Sequence, residues 1–369
     1  MKIAFRTDAS LEIGTGHVMR CLTLAEALRD KGAQSLFICR EHEGNLLATV
    51  RQRGFEGVGL PACNGKDPAK TEETENLPAH AAWLGCDWQT DARQSAEILS
   101  CSGSDWLIVD HYALDVRWEK ALRSCCRHLM VIDDLADRSH DCDVLLDQNL
   151  GRNKQHYHDL VPDHCALLVG PQYALLRPEF ARLRHYSLKR RENVKLRHLL
   201  ISMGGVDKGN ATGEVLKALK ECALPDDCRI SVIMGASAPW LAQVRQQADQ
   251  MPWPTEVAVN VSDMAQRMAN ADLAVGAAGG TSWERCCLGL PTLLVVVAEN
   301  QWAGARALDE ARAGLFVGDL TDIAHELPKC VEALWSSEGF RELGNRSSQI
   351  TDGHGAQKVV AKLEDFNGR

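Results

Sequence analysis

Residues 2–29 read KIAFRTDASLEIGTGHVMRCLTLAEALR, and this stretch decides the class of fold. The apolar run ending at Asp8 has the length of a buried strand. A loop containing Gly14 and Gly16 follows, and then Val18, Cys21, Leu22, Leu24, Ala25 and Leu28 recur at helical spacing. A strand, a glycine loop and an apolar-faced helix in that order form the unit of a mostly parallel α/β sheet. The alternation continues along the chain. In the first half the strand candidates are KIAFRTD (2–8), SLFICR (35–40), WLIVDHY (106–112), HLMVIDD (128–134), VLLDQ (144–148) and CALLVG (165–170). In the second half they are LLISMGG (199–205), ISVIMG (230–235), TEVAVN (255–260), LAVGAA (273–278), TLLVVVA (292–298) and GLFVG (314–318). Each half thus has the material for its own doubly wound sheet. The length, 369 residues, is about twice that of one compact domain and agrees with two.

The polar, basic stretch SLKRRENVKLRH (187–198) lacks a clear apolar face and is read as the hinge, which sets the expected domains at 1–190 and 191–369. Residues 61–80, bracketed by Pro61 and Pro78, read as an exposed excursion. Apolar residues make up 45% and charged residues 25%, an ordinary globular composition that argues against disorder. With 41 basic against 50 acidic residues the net charge is −9, which excludes a polyanion such as nucleic acid, or an anionic membrane surface, as the main partner. The 14 cysteines are scattered, with no C-x-x-C pair, and read as free thiols in a reducing cytoplasm. The start MKIAFRTD is too polar for a signal peptide. The apolar run Cys286–Ala298 is interrupted by Gly289 and Pro291 and is shorter than the ~20 residues of a membrane helix.

In open parallel sheets, ligands bind beyond the carboxyl ends of the strands, so chemistry is sought there. After the first strand, Gly14, Thr15 and Gly16 precede His17 at a helix start. The spacing fails the dinucleotide fingerprint, since Met19 stands where its third glycine would be. Glycines there let a polar ligand approach free amides, and the positive helix pole disfavours the imidazolium form of His17, which suits a proton acceptor. The bland alternative is a histidine that merely hydrogen-bonds its own loop. In the second half, Gly279, Gly280, Thr281 and Ser282 follow a strand, with Glu284 in the first helical turn. Small residues and hydroxyls suit a diphosphate, and a carboxylate one turn on suits a ribose diol, although an ordinary helix cap has the same composition. Glu299, Asn300 and Gln301 follow the next strand, and Gly204 and Gly205 follow LLISM.

Taken together, RTDAS with IGTGHVMRC, IVDHYALD with Trp118, VIDDLADR with HDCDVLLDQN, GPQYALLRPEF, ISMGG and GGTSWERCCLGLPTL with AENQ resemble a known set in order over nearly the whole chain. The sequence closely resembles the UDP-2,4-diacetamido-2,4,6-trideoxy-β-L-altropyranose hydrolases of pseudaminic acid biosynthesis, relatives of the MurG-type glycosyltransferases. That resemblance implies a GT-B-type α/β fold with two doubly wound Rossmann-like domains facing a central cleft, sugar on the N-terminal side and UDP on the C-terminal side. It implies His17 as the catalytic residue acting on water, with Tyr112 as a second catalytic residue beside the sugar that helps to orient water or substrate. Gly280, Thr281 and Ser282 would meet the phosphates and Glu284 the ribose, with Asn300 and Gln301 at the phosphate or sugar end. Asn149, Arg152, Tyr173 and Arg177 would serve acetamido or phosphate oxygens. By analogy with such enzymes, the last segment, GAQKVVAKLEDF, packs back across the hinge.

The expected reaction is single-step attack of water at the anomeric carbon, with inversion and loss of UDP. No cofactor and no metal is expected, because neighbouring Asp133 and Asp134 on a strand point to opposite faces. Two other readings share the same UDP half: a glycosyltransferase, and a nucleotide-sugar binding protein without catalysis.

Overall fold

The computed structural model describes residues 1–62, 77–193, 195–334 and 337–367. It contains two all-parallel sheets. The first has seven strands: β1 (Lys2–Thr7), β2 (Gln34–Arg40), β3 (Glu56–Leu60), β4 (Ser104–Asp110), β5 (Cys126–Ile132), β6 (Val144–Asp147) and β7 (Ala166–Val169), in the order β3-β2-β1-β4-β5-β6-β7. The second has six: β8 (His198–Ser202), β9 (Arg229–Met234), β10 (Thr255–Val259), β11 (Leu273–Ala277), β12 (Thr292–Val295) and β13 (Leu315–Gly318), in the order β10-β9-β8-β11-β12-β13. The expected α/β class is what the chain adopts. All twelve expected strands are present, and β3, an edge strand with two glycines in EGVGL, is the one that apolar patterning passes over.

Burial follows the two-residue period of a strand covered on both faces. Ile3, Phe5, Trp106, Ile108, Met130 and Ile132 enter one core cluster of the first unit, while Ala4, Leu107, Val109, Leu129 and Val131 enter the cluster on the other face. The first cluster also takes Ala356, Val359, Val360 and Leu363 of the last helix, Gly355–Asn367, whose Phe366 meets Trp106 edge-on. The first compact unit is therefore Met1–Leu175 with Ala356–Arg369, and the second is Leu176–Gly355.

This division differs from the expected break at 190. The helix Pro178–Arg190 belongs to the second unit, and Arg190 and Arg191 of the stretch read as a hinge, with Arg184 before it, serve as anchors. Arg191 donates to the carbonyls of Met268 and Ala271, Arg184 to those of Cys287 and Ser348, and Arg190 pairs with Asp272. Carbonyls at helix ends need donors, and long guanidinium groups supply them without an apolar face. Most of the excursion expected at 61–80 lies outside the described residues, which resume at Leu77. The cysteines among the described residues are free. No helix among them is long and apolar enough to cross a membrane.

Candidate functional site

In each sheet the strand order reverses direction at one place, between β1 and β4 in the first and between β8 and β11 in the second. Loops leaving neighbouring strands diverge at such a point and open a crevice at the carboxyl ends.

In the first unit His17 follows β1 and Asp110 ends β4, so the two residues flank the switch point. The Nδ1 of His17 lies 2.6 Å from Asp110 Oδ1. With Nδ1–H donating to the carboxylate, Nε2 is the nitrogen that accepts a proton. Asp110 also binds Arg20 through both oxygens at 2.7 Å, and Arg20 reaches Asp134 at 2.5 Å. Burial opposes a charge on Asp110, but Arg20 and His17 outweigh it and hold the carboxyl well below the usual range. Arg20 lies one helical turn from His17, so the helix Gly16–Arg29 presents both to the same carboxylate. Neither Gly14 nor Gly16 has an atom within 4 Å of where a Cβ would stand, and only Gly14, with φ 80°, needs glycine for its backbone. The space over Gly16 is open.

Tyr112 meets the His17 ring edge-on, with centroids 4.6 Å apart, and donates its hydroxyl to Asp134 at 2.9 Å. Burial, with Asp134 beside it, pushes its phenol well above the usual value, so it stays a donor. Asn149 and Arg152 turn toward the backbone of the Asp134–Leu135 turn, at 3.3 Å to the Asp134 carbonyl and 2.7 Å to the Leu135 carbonyl. They hold Asp134 in place. Tyr173 packs, half-buried, against the first core cluster. Asp133 and Asp134 lie just past the end of β5 rather than on the expected strand, yet they diverge: Asp133 is buried and bound by Arg138 and Tyr157, whereas Asp134 faces Arg20 and Tyr112. Among the described residues no group of His, Cys, Asp or Glu is placed to hold a metal ion.

In the second unit, Gly204 and Gly205 follow β8 and the Gly279–Ser282 turn follows β11, again flanking the switch point. Gly204, Gly205 and Gly280 also look onto open space. Arg285, 2% exposed, runs back under the turn and donates to the Ala277 carbonyl and to the hydroxyls of Ser282 and Thr281. Its guanidinium passes so close to Gly276 that a Cβ there would clash at 2.5 Å, which explains a glycine inside β11. Burial lowers Arg285 to about 10, still charged at neutral pH. Ser282, itself buried, is thus committed to Arg285. Glu284 is half-buried, and burial raises its carboxyl to about 7 against the pull of Arg177, whose guanidinium is 3.7 Å away. Arg177, expected on the sugar side, belongs to this unit. Gln301 accepts from the Val297 amide and lies against Gly279, joining the ends of β11 and β12, while Asn300 is exposed.

Sequence reading missed Asp110, Arg20, Asp134 and Arg285. Asp110 had a usable sign, since it stands at a strand's carboxyl end beside His111 and Tyr112.

No family model matches the chain. An uncharacterized protein of Methanocaldococcus jannaschii is 24% identical over 307 residues, 82% of this chain and 56% of that one. The UDP-2,4-diacetamido-2,4,6-trideoxy-beta-L-altropyranose hydrolase of Campylobacter jejuni is 26% identical over 248 residues, 67% of this chain and 74% of the hydrolase. The Bacillus subtilis spore coat polysaccharide biosynthesis protein SpsG is 30% identical over 209 residues, 56% of this chain and 60% of its own. The match thus spans little more than half the length of the first and third of these relatives. Among solved structures, Acinetobacter baumannii MurG aligns with a TM-score of 0.71 at 15% identity over 99% of both chains. Arabidopsis thaliana UGT89C1, solved with UDP, aligns with a TM-score of 0.62 at 13% identity over 98% of this chain and 100% of the other. The fold is therefore of the GT-B type, built from two Rossmann-like units.

Proposed function

We propose that the protein acts on a UDP-sugar and that its reaction is hydrolysis of UDP-2,4-diacetamido-2,4,6-trideoxy-β-L-altropyranose at the anomeric carbon. The observation that carries this reading is the His17–Asp110 pair, set at a switch point next to Gly16, over which the space is open, and leaving Nε2 as a proton acceptor. The likeness to the Campylobacter jejuni hydrolase supports the substrate class. Water gives a proton to Nε2 as its oxygen bonds the anomeric carbon from the face opposite UDP. The carbon–oxygen bond to the diphosphate breaks, UDP leaves with the electron pair, and the centre inverts. Asp110 steadies the imidazolium formed in the step and fixes the ring for it. The second unit holds the nucleotide: backbone amides around Gly280, with the buried charge of Arg285 behind them, face the diphosphate, and Glu284 accepts from the ribose hydroxyls.

A glycosyltransferase is the second reading, supported by the whole-chain likeness to MurG. It uses the same two sites with an acceptor hydroxyl in place of water. One experiment separates them: incubate the protein with the UDP-sugar and no acceptor, and follow free UDP. Hydrolysis releases UDP at the full rate, with the inverted free sugar as co-product. Release that begins only when an acceptor is added would replace the hydrolase reading with the transferase.

A further inference from the structure

Beyond the described start of the segment at Leu77, the chain forms a 3-10 turn, Ala81–Leu84, closed by Gly85 at φ 74°. Leu84 is 2% exposed and anchors the turn in the second core cluster of the first unit. His80 and Trp83 are only partly buried and belong to neither core cluster. Their rings lie over Tyr112. Trp83 is near-parallel to it at 25°, with centroids 5.8 Å apart, His80 stands 5.4 Å from Tyr112 and 4.4 Å from Trp83, and Tyr112 in turn touches His17. The four rings make one continuous aromatic tier ending on the proton acceptor. Burial, opposed by nearby Asp137 and aided by Arg138, pulls His80 below the usual histidine value.

We propose that Trp83 and His80 form an aromatic wall of the sugar site that contacts the apolar face of a deoxygenated hexose and selects it over fully hydroxylated ones. The inference rests on the proposed function and adds a specificity determinant to it. A 2,4-diacetamido-2,4,6-trideoxy ring carries a C6 methyl and two acetamido methyls where an ordinary hexose carries hydroxyls. Such a surface gains by lying on a π face, whereas a hydroxyl there forfeits its hydrogen bond to water. A residue serving only to cover core would share the burial of Leu84; Trp83 instead sits on the ring that abuts the proton acceptor.

Calorimetry tests this in a His17→Leu background, so that the sugar nucleotide persists during titration. Trp83→Ala should weaken binding of the UDP-trideoxy sugar about tenfold while leaving affinity for UDP and for UDP-glucose within about twofold. Trp83→Phe should restore most of the loss, and His80→Ala should cost about threefold. Unchanged sugar-nucleotide affinity in Trp83→Ala, or equal losses for it and for UDP, overturns the wall. Turnover is read separately with His17 present. A protein that binds the trideoxy sugar through Trp83 yet releases no UDP refutes hydrolysis and keeps the wall, and unchanged binding with retained turnover does the reverse.

Discussion

At the switch point of the first sheet, His17, Arg20, Asp110 and Asp134 are linked through contacts of 2.5–2.7 Å. At that of the second sheet the equivalent loops carry Gly204, Gly205, Gly279 and Gly280, and the buried charge of Arg285 lies behind the second pair, its Nη1 and Nη2 groups bonded to the turn itself. The two places share a topology and differ in which atoms are offered to a ligand. Side-chain groups of matched charge can move a proton. Exposed backbone amides can hold an anion without doing so, because they cannot titrate. Under the proposed function, chemistry falls to the first unit and grip to the second.

The largest expected effect breaks the contrast at the first unit. His17→Leu should lower turnover by about 10³-fold while UDP binding by calorimetry stays within about twofold; a parallel loss of UDP affinity would mean that the two roles are not divided. Asp110→Asn keeps the shape but removes the charge that orients the imidazole, and turnover should fall by about 10²-fold. The pH–rate profile should change with it, which a merely structural carboxylate would not cause.

A glycine pair sharpens the other side. At Gly235 a Cβ would meet the Gly205 carbonyl oxygen at 2.1 Å, so Gly235→Ala should destabilise the second unit by about 1–3 kcal/mol in urea unfolding. At Gly280 a Cβ meets nothing, and Gly280→Ala should leave the unfolding midpoint unchanged while weakening UDP binding several-fold. If both variants act only on stability, the open space at Gly280 serves no ligand.

The smallest effect is a slope. Burial and nearby Asp134 raise Asp147 to about 7, although the Asn149 amide and Tyr157 hydroxyl bind it. A folded-state value above the unfolded one means that its stabilising contribution is complete below about pH 4 and is lost as pH rises through 7. Relative to wild type, Asp147→Asn should therefore gain stability between pH 5 and pH 8, measured as the difference in urea midpoints. Identical slopes would remove Asp147 from the protonated carboxyls of the first unit.

Much of the fold could be read directly. Twelve of the thirteen strands announce themselves as apolar runs, because a strand buried on both faces needs them. β3 does not, since EGVGL, with two glycines and a charge in five residues, has little apolar surface to bury. The boundary expected at 190 differs from the break at Leu176 for a related reason: Arg190 and Arg191 of the basic stretch are held by carbonyls and a carboxylate, and composition alone cannot tell an arginine with such partners from one in water. The glycine loops, His17 and Glu284 were legible as residue types at strand ends. Asp110, Arg20, His80 and Trp83 were not, for they gather at one place from β4, from one helical turn past His17, and from a segment some 60 residues further on.

Sequence by itself determined that this chain forms parallel α/β sheets with glycine loops at strand ends, because strand and helix periodicities and backbone freedom are local properties. Only the tertiary structure decided which of those ends matter. Strand order places β1 beside β4 and β8 beside β11, and that adjacency, set by crossovers many residues long, brings a carboxylate to His17 and an open glycine turn to the opposite strand end in the second sheet.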